Sequence, residues 1–285
     1  MTGEWCCNAR NHEKPFVVRN GQFKKLAVEP DETARGWAIN NLGVVMGESY
    51  SDSNSLRTFY EDDSGRHYIE SDVRFVGREI NKVGQIPGYR MAVDGSFYEA
   101  VIYSISDGSF TTIPGDLGQV TPAAINDLGT VVADVRTNSK TGCYIYQNNV
   151  LTELADLGGS YCFPADINNK GTVVGIAALP DDRVHAVKWE NGVMTELLPD
   201  SYKSWALRIN NHGQIVGRIK FDHPVSEKAF LYEGTKMTLA KDLLAPADTA
   251  HWSDFFFRGI SDKGEIIGDG KLDGVARAFI MRPVP

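Results

Sequence analysis

Three charged residues stand at one position of a recurrent motif, and they are the first candidates for chemistry. The position just before a repeated isoleucine carries Glu79, Asp166 and Arg208 in three of its copies. Carboxylates and a guanidinium gathered at one place can bind a small polar ligand, or act as acid and base once their surroundings separate their proton affinities. Paired with one another, the same residues simply line a watery channel. No other pattern argues for catalysis. His12, His67, His185, His212, His223 and His251 occupy unlike positions, so no two have metal-ligand spacing, and neither a metal nor a cofactor is expected. His185 and His212 read as structural. GxSxG, HExxH and a phosphate-cradling glycine loop do not occur. Cys6 and Cys7 are adjacent, and with Cys143 and Cys162 they form no CxxC pattern, so all four read as reduced thiols without a function.

Recognition chemistry is better represented. The chain has 285 residues and a formal net charge of −8, which disfavours direct nucleic-acid binding and favours a basic partner. Most of the excess acid falls in the loops that enter the inner strands or join second to third strands. Asp52, Asp181, Asp182, Asp248 and Asp254 belong to this set. Among them stand Tyr161, Phe163, Tyr202, Trp205, Trp252, Phe255 and Phe256. Rings supply desolvated anchors while carboxylates steer a basic protein and set its register, so these residues are the expected contact surface. The stretch from Ala245 to Phe257 is the richest in rings and reads as an extended insertion.

The elements that must position these residues come from a repeat. Ile-Asn-x-x-Gly followed by a short apolar strand recurs six times, with Ser261 replacing the Asn in the last copy and the first glycine at Gly43, Gly84, Gly129, Gly171, Gly213 and Gly264. A period of roughly 40 to 50 residues built from short strands marks a propeller blade. In each copy an inner strand runs into Ile-Asn, the Asn-x-x-Gly turn reverses it, and a second strand follows. A third strand and a tight turn to an outer strand complete four. The expected fold is therefore all-β, a single six-bladed β-propeller domain of four-stranded antiparallel blades over residues 1–285. The sixth copy ends after its third strand, whereas Phe16–Leu26 matches a blade-ending hairpin. Residues 16–28 are thus expected to complete the last blade and close the ring, with residues 1–15 an irregular lead.

Asp156-Leu157-Gly158-Gly159, Ala165 to Gly175, His185-Ala186-Val187-Lys188-Trp189 and Asn191-Gly192 together resemble the HAF repeat, a bacterial propeller-type repeat named for a His-Ala-Phe triplet. The resemblance runs from about residue 36 onward. Only His185 keeps the His, Ala133 replaces the last glycine of the third copy, and Pro87 interrupts a second strand. It implies a propeller and carries no shared catalytic chemistry. Many such proteins are extracellular, yet the N-terminus shows no secretory signal and no apolar run reaches membrane-spanning length, so a cytoplasmic protein without membrane contact is expected. The leading functional expectation is a non-enzymatic immunity protein whose acidic face covers the groove of a basic toxin, such as a toxin nuclease. A lectin-like propeller using Trp37, Trp205 and Trp252 as sugar platforms stands second. A lyase or hydrolase built on Glu79, Asp166 and Arg208 stands third.

Overall fold

The computed structural model describes residues 2–5, 14–19, 22–26, 32–51, 56–92, 94–95, 98–223 and 226–283. Its strands fall into two compact units, Met1–Val131 with Tyr146–Leu151, and Val132–Ile145 with Thr152–Pro285.

In the first unit, β1 (Thr2–Trp5), β2 (Lys14–Arg19) and β3 (Gln22–Lys25) form a three-stranded sheet. The first blade follows as β4 (Glu32–Ile39), β5 (Val45–Ser51), β6 (Leu56–Asp62) and β7 (Gly65–Tyr68), paired in chain order. The second blade is β8 (Arg74–Gly77), β9 (Gln85–Met91), β10 (Tyr98–Ser104) and β11 (Phe110–Thr112). The third blade, whose residues are divided between the two units, consists of β12 (Gln119–Ile125), β13 (Val131–Arg136), β14 (Thr141–Gln147) and β15 (Val150–Glu153).

Two four-stranded sheets of the second unit repeat the plan. They are β16 (Cys162–Ile167), β17 (Val173–Ala178), β18 (Val184–Glu190) and β19 (Val193–Glu196), then β20 (Lys203–Ile209), β21 (Ile215–Phe221), β22 (Ser226–Glu233) and β23 (Lys236–Leu239). A 3-10 turn (Ala240–Leu243) and a short helix, α1 (Pro246–Thr249), lead to β24 (Trp252–Ile260), β25 (Ile266–Leu272) and β26 (Val275–Met281). The fold is thus an all-β six-bladed propeller of four-stranded antiparallel blades, with three strands in the sheet β24–β26.

Apolar residues bury between neighbouring sheets. Met46 of the first blade packs with Phe75, Ile86 and Val101 of the second. Val174 and Ala186 meet Ala206, Ile209 and Ile215 in the same way in the second unit. Each fully buried large side chain stabilises its sheet pair by about 1.5–3 kcal/mol. A β-bulge interrupts β4, β16, β20 and β24 just before the repeat isoleucine. There the inner strand presses its backbone on the second strand, and a Cβ added at Gly217 would overlap the carbonyl oxygen of Trp205. The final glycine of the motif is needed for this close approach.

Four expectations meet the structure here. The cysteine reading is corrected, because Cys143 on β14 and Cys162 on β16 form a disulfide with a Cα separation of 5.3 Å. Judged by spacing along the chain they looked unrelated, yet the third strand of one blade packs on the inner strand of the next and both thiols are buried there. Pro87 lies inside β9 and leaves the strand intact, since Arg78 N–H donates to its carbonyl oxygen at 2.9 Å. Inside the expected irregular lead, β1 pairs Trp5 with Lys14. The Phe16–Leu26 hairpin forms, with Phe16 opposite Lys25, and buries Val17 and Leu26 against Ile39 and Val45 of the first blade. Cys6, Cys7, His12 and Asp52 lie outside the described residues.

Candidate binding surfaces

The repeat asparagine sets the geometry on which both surfaces rest. Asn40 Oδ1 accepts the N–H groups of Leu42 at 3.0 Å and Val44 at 2.9 Å, which fixes the turn. Its Nδ2 donates to the carbonyl of Asn81, in the next repeat, at 2.9 Å. Asn81 donates likewise to Asn126 O at 3.0 Å, Asn168 to Asn210 O at 3.1 Å, and Asn210 to Ser261 O at 2.9 Å. A second row runs beside the first, in which Asp127 Oδ1 accepts from Lys82 N, and Asp262 Oδ1 from Asn211 N, both at 2.8 Å. Sequence reasoning saw the turn and missed the stitching between repeats. The signal was the recurrence of Asn where Asp or Ser caps a turn equally well, since of the three only Asn has an NH2 to donate.

The charged trio serves the same stitching. Asp166 is buried, and its two oxygens accept the N–H of Ile167 and of Ile209, each at 2.8 Å. Burial pushes its carboxyl above the usual carboxylate range, against the pull of the Arg208 guanidinium and the two backbone donors. Glu79 occupies the equivalent place in the first unit, where Ile125 N–H donates to its Oε2 at 3.4 Å. Arg208 is exposed and bonds the carbonyl of Leu207. Asp166 and Arg208 belong to one unit and Glu79 to the other. Among the described residues, no group of three or more His, Cys, Asp or Glu side chains is placed to hold a metal ion.

The ring-bearing residues sort into two groups. Trp252 and Phe255 lie on β24 and pack on Phe279 of β26, with centroids 5.5 and 5.7 Å away. The stretch from Ala245 to Phe257, read as an extended insertion, is instead helix α1 and the first part of β24. Phe163, Trp205 and Phe256 form the second group. Each stands four residues before the repeat isoleucine, so they share one register position on the successive inner strands β16, β20 and β24. Phe163 and Phe256 remain 37% and 41% exposed. Trp205 carries the Arg218 guanidinium 4.4 Å over its ring. Tyr161 lies 5.6 Å from Phe163, and Tyr202 is 37% exposed at the entry to β20. This row was legible by counting back from each isoleucine.

Acids of the same unit stand in its loops, in α1 and on β24. Asp181 bonds Arg183, and Asp254 pairs with Lys271 at 2.9 Å, so both carboxyls are held below their ordinary range by those hydrogen bonds. Asp182, Asp200 and Asp248 form no salt bridge among the described residues. Near Asp248, the His251 Nδ1–H donates to Asp273 Oδ1 at 2.8 Å, and that bond raises the imidazole's proton affinity. The arrangement fits desolvated anchors inside an acidic rim.

No described protein family and no curated protein matches the chain. Solved structures do. The β-propeller domain of the Trilobed protease from Pyrococcus furiosus, described as having an open velcro topology, superposes with a TM-score of 0.66 at 10% identity, over 96% of this chain and 89% of that one. The Pyrococcus horikoshii acylaminoacyl peptidase matches with a TM-score of 0.66 at 11% identity, over 98% of this chain and 48% of its own. TolB from Acinetobacter baumannii gives 0.52 at 12% identity, over 79% and 61%. The chain spans about half the length of the acylaminoacyl peptidase. At such identities the likeness shows the fold alone.

Proposed function

We propose that this is a non-enzymatic propeller of HAF type that binds a basic protein partner. The observation that carries the reading is the row of Phe163, Trp205 and Phe256 at one register position of three successive inner strands, set among Asp182, Asp200 and Asp248. Nothing in the repeat requires a ring there, since the same position holds Arg35, Val76 and Thr121 in the other copies. Rings in a row provide anchors, and the acids set orientation and association rate. Of basic partners, a toxin nuclease fits well, because its groove must be basic to hold nucleic acid and is blocked when covered. The chain then acts as its immunity protein. The Cys143–Cys162 disulfide favours an oxidising compartment over the cytoplasm for this encounter.

Affinity capture from the native host, followed by a cleavage assay on the captured protein, tests the reading. The expected result is one stoichiometric basic protein whose cleavage of RNA or DNA stops when the propeller is added. The variant Phe163→Ala/Trp205→Ala/Phe256→Ala is expected to bind it more than about a hundredfold more weakly, as the loss of two or more anchors implies. An acidic partner, or full affinity in the triple variant, overturns it.

A further inference from the structure

The opposite ends of the strands in the first unit carry a feature that neither the ring row nor the fold explains. The third residue of the Asn-x-x-Gly turn donates its N–H to the asparagine side chain, at 3.0 Å for Leu42, 3.2 Å for Val83 and 3.0 Å for Leu128. The side chains themselves are 66%, 61% and 72% exposed. The turn makes no apolar demand at this position, because the remaining copies carry Lys170, His212 and Lys263. Neighbouring turns are tied together by the Asn40–Asn81 and Asn81–Asn126 bonds. Three open aliphatic side chains therefore stand side by side, which is a surface that water disfavours and a partner can cover.

Carboxylates rim this patch. The outer hairpin turns of the same blades supply Asp62, Asp63 and Asp107, and Asp127 follows Asn126. Ile105 N–H, bonded to Gly84 O at 3.0 Å, holds the second blade's outer turn against its inner one. Ser64 donates to Asp62 at 2.6 Å and Ser109 to Asp107 at 2.8 Å, bonds that favour the charged carboxylate. Across turn residues 40–43, 62–65, 81–84, 105–108 and 126–129, Lys82 is the one base. Between the two turns of the first blade lies a shallow recess of about 290 Å³ lined by Leu42, Gly43, Val44, Asp62, Asp63 and Ser64. An apolar wall with carboxylates beside it suits a lysine or arginine, whose stem packs on hydrocarbon while its head stays at the acids. A second copy of the chain would bring like charges together in a two-fold contact, and an anionic membrane surface would be repelled.

We propose that this turn face docks a partner protein through a basic segment bearing interspersed apolar side chains. The surface is separate from the ring row and does not depend on it.

The experiment is a titration of protein labelled at its methyl groups and at its phenylalanine rings with a synthetic peptide of alternating Lys and Leu, with Glu-Leu and Lys-Ser peptides as controls. Saturable shifts at the methyls of Leu42, Val83 and Leu128 with the Lys-Leu peptide alone are the expected result. Affinity should fall about tenfold or more in Leu42→Ser/Val83→Ser/Leu128→Ser, and similarly in Asp62→Asn/Asp63→Asn, both at unchanged melting temperature. Equal binding of the Glu-Leu peptide, absence of saturation, or self-association through these methyls overturns the proposal. Shifts confined to signals of Phe163 and Phe256 overturn it too while sparing the ring-row reading. Shifts at the turn face with a silent ring row do the converse.

Discussion

At the scale of single residues, the repeat asparagine makes three bonds with one side chain. Its oxygen fixes the turn through two backbone donors and its nitrogen ties that turn to the next repeat. The roles separate by substitution at Asn40, which is buried. Asn40→Asp keeps the acceptor and removes the donation to Asn81 O, and is expected to cost about 1–3 kcal/mol in chemical denaturation. Asn40→Ala also strands the Leu42 and Val44 N–H groups and should cost more. An Asn40→Asp variant of unchanged stability would show that the inter-repeat bond contributes nothing, and equal costs for the two variants would show the same of the turn bonds. The turn role was readable from Asn and Gly spacing, because a turn is local. The donation was not, since its acceptor lies 41 residues away and is a backbone atom that every residue type possesses.

At the scale of elements, the disulfide shows how a contact hides from linear spacing. Cys143 on β14 and Cys162 on β16 are 19 residues apart. In the following pair of repeats the equivalent positions are Ala186 and Ser204, and there Ala186 N–H donates to the serine hydroxyl at 2.9 Å. Between the first two blades the same place holds Thr58, whose hydroxyl donates to Phe75 O at 2.8 Å. Aligning the repeats was therefore enough to bring the two cysteines together, whereas judging each by its neighbours in the chain was not. Cys143→Ala/Cys162→Ser installs the pair found one repeat later, so packing should survive. The expected loss is about 3 kcal/mol in guanidinium unfolding, from the freed chain of the unfolded state. Thiol alkylation of the native protein under denaturing conditions should leave both cysteines unmodified. The insertion before β24 was misjudged for a related reason. A register shift between Ser253 and Phe256 breaks the alternation a strand would show, and Phe255, Phe256 and Phe257 follow one another without a polar residue between them.

At the scale of the whole molecule, the period alone carried the fold, because a four-strand unit recurring six times leaves few architectures open. What the period hides is everything in which its copies differ. The two candidate surfaces are both of this kind: rings four residues before the isoleucine in one unit, and open aliphatic residues at the turn in the other. The N-terminal hairpin is the remaining element outside the period. Val17 and Leu26 are buried on the first blade, so deletion of residues 1–28 exposes Ile39 and Val45. Lowered melting temperature or self-association is expected by calorimetry and light scattering. A monomer of unchanged thermal stability would argue against any closing role for the segment.

The asparagine bonds also have an evolutionary reading. Asn40, Asn81, Asn168 and Asn210 each donate to a backbone carbonyl of the copy ahead, an atom that every residue type possesses. A duplicated or exchanged repeat inherits both halves of the bond without further mutation. Such a chain can change its number of repeats, or recombine them, while the residues between the stitches vary without breaking the ties that join one copy to the next.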